Sequence, residues 1–268
     1  MSQSVSQTPN LNSLFQSAQE EGLLSTTSLQ ALTVSDIGAQ IQAGLGVSVD
    51  DVAASEVVLV TIMPDDSGSI RFSGNAQTVR AGHNTVLDAL LSTQQKNNIL
   101  IHTRYLNGTV LYAYCPVDQA VRMDKHNYDP NQGTPLYDQT VVLLGTVLAK
   151  AQEFADNGVP VRTITLIITD GADEHSRQTG IRKVASLVND MLMAENHIIA
   201  ALGIDDSGHT DFRQVFTQMG IRDEWILTPG NNKTEIRRAF QLFSQSAVRA
   251  SQGAVSFSQS SLGGFGSP

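Results

Sequence analysis

The sequence predicts an α/β protein built on a doubly wound, mostly parallel six-stranded sheet with helices on both faces. Three observations carry this. Six short runs rich in Val, Ile and Leu have strand length, most of them alternate with stretches of helical periodicity, and one pair of runs is separated by only three residues.

The runs are "EVVLVTIM", "NILIHTRY", "TVLYAY", "TITLIIT", "NHIIAALGI" and "EWIL", apolar enough for strands covered on both sides. After the first, Val79, Val86, Leu87, Leu90 and Leu91 recur at helical spacing. "LYDQTVVLLGTVLAKAQEF" is apolar on nearly every side and predicts a deeply covered central helix. "IRKVASLVNDMLMAE", "DFRQVFTQM" and "KTEIRRAFQLFSQSAVR" supply three more, the last with Thr234 as its expected N-cap. Strands two and three are joined by "LNG", and Asn107-Gly108 is a pair favoured in two-residue hairpin turns with positive φ, so the third strand must run antiparallel to the second.

The ends differ in character. Residues 1–54 are rich in Ser, Gln and Thr and predict an extension, partly disordered, with one or two short helices packed on the main domain at 55–249. Residues 250–268 read as a Gly/Ser-rich flexible tail, with a short docking peptide as the other reading of Phe257, Leu262 and Phe265.

Hydrophobic residues make up 41% of the 268 and charged residues 16%, so most of the chain should fold. A net charge of -9 without basic clusters argues against nucleic acid or an anionic membrane as partner. Cys115 is the lone cysteine, which excludes internal disulfides and Cys-rich zinc sites and reads as a core residue. With no leader-like N-terminus and no run of spanning length, the expected location is the cytoplasm.

Three segments are dense in small oxygen groups: "DDSGS" after strand one, "GTPLYD" before the central helix and "TDGADEHS" after strand four. Parallel strands deliver their following loops to one edge of a sheet, so the three can meet. Together they offer the carboxylates of Asp65 and Asp170 and the hydroxyls of Ser67, Ser69 and Thr134, five hard donors without sulfur or imidazole. Such a set suits Mg²⁺, or Mn²⁺ in its place, ahead of Ca²⁺, and matches zinc poorly. Two carboxylates balance the ion on paper while three hydroxyls donate weakly, so an open position stays attractive to a partner's Asp or Glu.

Asp65-x-Ser67-x-Ser69, Thr134 in "GTPLYD" and Asp170 in "TDG" resemble the metal-ion-dependent adhesion site of von Willebrand factor A-type domains. The resemblance covers roughly residues 56–248. It implies the strand order 3-2-1-4-5-6, direct coordination by the two serines, carboxylates acting partly through water, and a threonine that binds directly or through water.

Plainer explanations exist for each element. Asp, Ser and Gly also make turns and helix caps, and Thr134 before Pro135 could be an N-cap. "GIDDSGHT", residues 203–210, repeats the Asp-Asp-Ser-Gly wording, but His209 stands where the second serine would be, and it reads as a turn and N-cap. Asp66 should point away from the motif, Asp173 and Glu174 read as solvated surface, and His175 as a solvated loop residue rather than a general base. Trp225 reads as core.

No nucleophile elbow, phosphate loop, dinucleotide fingerprint or zincin helix is present. The expected function is divalent-cation-dependent protein binding by a non-enzyme, an adaptor or scaffold whose partner's carboxylate completes the coordination. The resemblance adds an intracellular signalling assembly, with an ATPase, kinase or phosphatase as partner. A Mg²⁺-dependent phosphohydrolase using Asp65, and a structural protein with a fold-stabilising ion, are the alternatives.

Overall fold

A computed structural model describes residues 10–252 and 264–265. Three short helices come first: α1 (Leu11–Glu20), α2 (Thr26–Leu32) and α3 (Ile37–Gln42). Asn10 and Ser25 cap the first two by accepting from the N–H groups of Ser13 and Ser28. There follow β1 (Val57–Met63), α4 (Gly68–Phe72), α5 (Ala76–Ser92), β2 (Ile99–Arg104), β3 (Val110–Pro116) and α6 (Leu136–Asp156). The chain continues through β4 (Val161–Thr169), α7 (Ile181–Met193), β5 (His197–Gly203), α8 (Phe212–Gln218), β6 (Ile226–Leu227) and α9 (Lys233–Gln252).

The strands form one six-stranded sheet in the order β3-β2-β1-β4-β5-β6, and only the β2–β3 pair is antiparallel. Every residue of β1, β2, β4 and β5 is buried, as continuous apolar runs require. Helices α5 and α9 pack together on one face of the sheet, and α6 and α7 cover the other, with α2 and α3 laid over them. Among the described residues no helix is long and apolar enough to cross a membrane.

Three local expectations give way to tertiary contacts. The β2–β3 hairpin forms, yet only Gly108 takes a positive φ, +95°; Asn107 instead accepts from Thr109 N–H through its side chain while its own N–H donates to Asp66. The cap of α9 is Asn232, whose Oδ1 accepts from Glu235 N–H at 3.0 Å, rather than Thr234. Cys115, on the edge strand β3, is half-buried and packs against the core from its margin rather than inside it.

The segment leading into β1 reaches back to that edge. Tyr114 donates its N–H to Gly44 O, and its carbonyl accepts from Val47 N–H. Gly46 between them has φ +65°, and a Cβ there would stand 1.9 Å from Tyr114 O, so only glycine permits the approach. At the other end of the chain, Gly264 and Phe265 are buried, Phe265 against the buried Trp225 with ring centroids 5.3 Å apart. The rest of the expected disorder and flexible tail falls on residues 1–9, 253–263 and 266–268, outside the described residues.

Candidate metal centre

Because β1 and β4 are adjacent and parallel, with Met63 opposite Ile167, their following loops emerge side by side. The loop before α6 joins them: Ser67 and Gln132 form an isolated parallel bridge, and Gly68 N–H donates to Gln132 O at 3.1 Å. All three oxygen-rich segments thus meet beyond the carboxyl ends of the strands. They line a cleft of about 420 Å³ with Asp206, His209 and Thr210 on its far side.

Ser67 Oγ and Ser69 Oγ are 2.8 Å apart, Ser69 Oγ donates to Asp170 Oδ1 at 2.5 Å, and Ser67 Oγ lies 3.4 Å from the same oxygen. Neighbouring ligands of an octahedral Mg²⁺ with bonds of 2.0–2.1 Å stand about 3 Å apart, so these three oxygens have the spacing of one octahedral face. Thr134 Oγ1 sits beside Gly171, where a Cβ would be 3.8 Å from it, and lines the same cleft. The donor set fits a hard divalent cation.

Asp65 differs from the other four. It is 0% exposed; Oδ1 accepts from Ser67 N–H at 2.7 Å and Oδ2 from Thr169 Oγ1 at 2.7 Å, with Asp170 N–H at 3.4 Å. Its backbone carbonyl also accepts from the Tyr128 hydroxyl. Its carboxyl is buried and held behind the serines by protein donors.

Burial raises the Asp65 carboxyl above its usual range against those hydrogen bonds. Asp170 is pushed up to about 7, first by burial and then by the Asp65 charge. Asp66, which accepts from Asn107 N–H at 3.0 Å and so turns away from the serines as expected, is likewise raised to about 7 by burial. A cluster of acids that resists ionisation is one that a divalent cation would relieve.

The capping explanations are not used. Ser67 makes no side-chain cap to α4, and α6 begins at Leu136 without a cap from Thr134. The first turn of α6 is capped instead by the loop after β4. Asp173 Oδ1 accepts from Tyr137 N–H at 3.1 Å and Ser176 Oγ from Asp138 N–H at 3.0 Å. Asp138 returns the contact, accepting from the N–H groups of Arg177, Gln178 and Thr179. Asp173 is therefore a half-buried cap rather than solvated surface, while Glu174 is exposed. His175, though exposed, is engaged: its Nδ1 accepts from Thr134 N–H at 2.9 Å. In the sequence, only the density of Asp, Ser and His after "TDG" hinted at these roles.

No protein-family profile and no curated protein matches the chain. Solved structures do. The pilus adhesin SpaC from Lactobacillus rhamnosus GG superposes with a TM-score of 0.53 at 13% identity, over 74% of this chain and 30% of that one. The vWF domain of the type V pili tip protein Mfa5 from Porphyromonas gingivalis gives 0.52 at 12% identity, over 76% of this chain and 99% of that domain. Proximal thread matrix protein 1 from the mussel byssus gives 0.51 at 14% identity, over 72% and 46%. This chain thus spans less than half of the adhesin and of the byssus protein.

The byssus protein is also known with zinc in its metal-ion-dependent adhesion site (MIDAS) motif. One expectation is corrected by this company: the cytoplasmic placement falls, since pili and byssal threads lie outside the cell and the neighbours point to an extracellular or surface setting. With the sheet order β3-β2-β1-β4-β5-β6 and a superposition that spans 99% of an isolated vWF domain, the fold of this chain is that of a von Willebrand factor A-type domain.

Proposed function

We propose that this chain is a divalent-cation-dependent protein-binding domain of adhesive or scaffolding type, working at a surface or outside the cell. Ser67, Ser69, Thr134 and Asp170 would hold Mg²⁺ or Mn²⁺, with Asp65 supplying charge from behind. The bound cation would offer a remaining coordination position to an Asp or Glu of the partner protein. The observation that carries the reading is the triangle of Ser67 Oγ, Ser69 Oγ and Asp170 Oδ1, spaced like an octahedral face and lining an open cleft. The adhesins among the structural neighbours are in keeping with it.

Hydrolysis is the weaker reading. Asp65 is fully buried, with both oxygens held by protein donors, and does not line the cleft, and no Lys or Arg lines the cleft to hold a phosphate.

The test is titration of Mn²⁺ into the protein and its Ser69→Ala variant by calorimetry. It is followed by binding of the Mn²⁺-loaded protein to immobilised peptides that carry one central Asp or Glu, or the matching Asn or Gln. Uptake of one Mn²⁺, lost in Ser69→Ala, and retention confined to the acidic peptides are expected. Equal Mn²⁺ uptake by both proteins, or retention indifferent to the acid, overturns the proposal.

A further inference from the structure

The hydrogen bonds around Thr134 single out a residue with no place in the donor set. Thr134 N–H donates to His175 Nδ1 at 2.9 Å, while Thr134 O accepts from Glu174 N–H at 3.2 Å and from His175 N–H at 3.3 Å. The threonine's backbone is gripped on both sides by two residues of the neighbouring loop. Because an N–H is the donor, Nδ1 must be the bare nitrogen and the ring proton sits on Nε2.

The preceding residue is shaped to the same ring. A Cβ on Gly133 would lie 2.8 Å from His175 Cγ and 2.9 Å from Nδ1 and Cδ2, so the imidazole occupies the space a side chain at 133 would need. Thr134 itself is 6% exposed, and the helix it precedes begins only at Leu136. Its N–H is thus outside the α6 hydrogen-bond ladder, and His175 is the acceptor that satisfies it.

We infer that His175 is a positioning residue for the cation site: it holds Thr134 by the main-chain N–H so that the hydroxyl faces the cleft, and it does so without touching the ion. This rests on the cation reading above. A threonine hydroxyl is a weak neutral donor whose usefulness to a small ion depends on where its backbone is held, and groups that orient metal ligands typically matter about 10- to 100-fold in affinity.

The experiment uses the full chain with His175→Ala and His175→Asn, the amide oxygen of Asn being able to accept where Nδ1 did. Two quantities are read: hydrogen exchange of the Thr134 amide without metal, and Mn²⁺ affinity by calorimetry. His175→Ala is expected to lose protection at Thr134 and to bind Mn²⁺ about tenfold more weakly, with an unchanged melting temperature in the absence of metal. His175→Asn should recover most of both. Unchanged protection and affinity in His175→Ala overturn the inference, as does an equal loss in both variants, which would assign the effect to ring packing on Gly133. If the unsubstituted chain takes up no Mn²⁺, the cation reading fails, and the exchange result alone still decides whether His175 holds Thr134.

Discussion

The chain contains the wording Asp-Asp-Ser-Gly twice, at 65–68 after β1 and at 205–208 after β5, and the two copies become different objects. In the first, Ser67 has φ -70° and leads into α4, and Asp65 is fully buried. In the second, Ser207 is exposed with φ +70°, Asp205 accepts from Gly208 N–H, and Asp206 accepts from both Thr210 N–H and Thr210 Oγ1. The first loop leaves the centre of the sheet, where β4 on one side and the entry to α6 on the other bring Thr169, Asp170 and Gln132 against it. The second leaves β5, which has only the two-residue β6 beyond it, and satisfies its own carboxylates. A four-residue motif acquires chemistry from the strands beside it, not from its letters.

Substitution of equivalent acids should separate the two loops most sharply. Asp170→Asn is expected to weaken Mn²⁺ binding roughly a hundredfold, whereas Asp206→Asn, on the far wall of the cleft, should change it by less than about threefold. Calorimetric titration of both variants checks this, and comparable losses would mean that the second loop shares the ion.

The pH response should oppose them as well. Asp170, held at about 7 by burial and by Asp65, keeps its proton in the folded chain over a range in which the unfolded chain has lost it, from about 4 upward. The folded state then binds more protons, so its contribution favours folding at low pH and is lost as pH rises towards 7. Asp66, also held at about 7, adds in the same direction. For Asp206, burial is outweighed by the hydrogen bonds of Thr210 and His209, and its carboxyl lies below the usual range. Its contribution is present above the unfolded value and lost as pH falls. Denaturant titrations without metal between pH 4 and 7 should show falling stability, and Asp170→Asn should lessen that fall, leaving the part due to Asp66, while Asp206→Asn leaves it intact.

The smallest effect concerns the backbone. Ser207→Gly relieves a left-handed residue and should be neutral or stabilising by up to about 1 kcal/mol. Ser67→Gly, at φ -70°, relieves nothing, and a gain in stability there would break the contrast.

The sheet was legible because its signal is redundant: β1, β2, β4 and β5 are buried on both faces, so nearly every residue in them reports the strand. The Asn107-Gly108 link disclosed the antiparallel strand, although its backbone is set by Asp66 from another loop rather than by the pair itself. Around the candidate site, Asp65, Ser67, Ser69, Thr134 and Asp170 could be singled out because each follows a strand or precedes a helix. Whether they hold an ion is what the titrations decide. The partners of that group left little trace. Nothing in "TDGADEHS" says that Asp173 and Ser176 cap a helix beginning at residue 136, or that His175 receives an N–H from residue 134, because each bond joins positions about 40 apart. Location was read from the wording of the first residues and the lack of a run of spanning length, and neither says where a folded domain works.

The hold of residues 44–47 on Tyr114 reaches beyond local packing. β3 is the outermost strand on its side, and outermost strands recruit other chains through their unpaired amides and carbonyls. By pairing with both backbone groups of Tyr114, the leading segment covers the middle of that rail, so a fragment trimmed to begin at β1 is expected to self-associate more readily than the full chain.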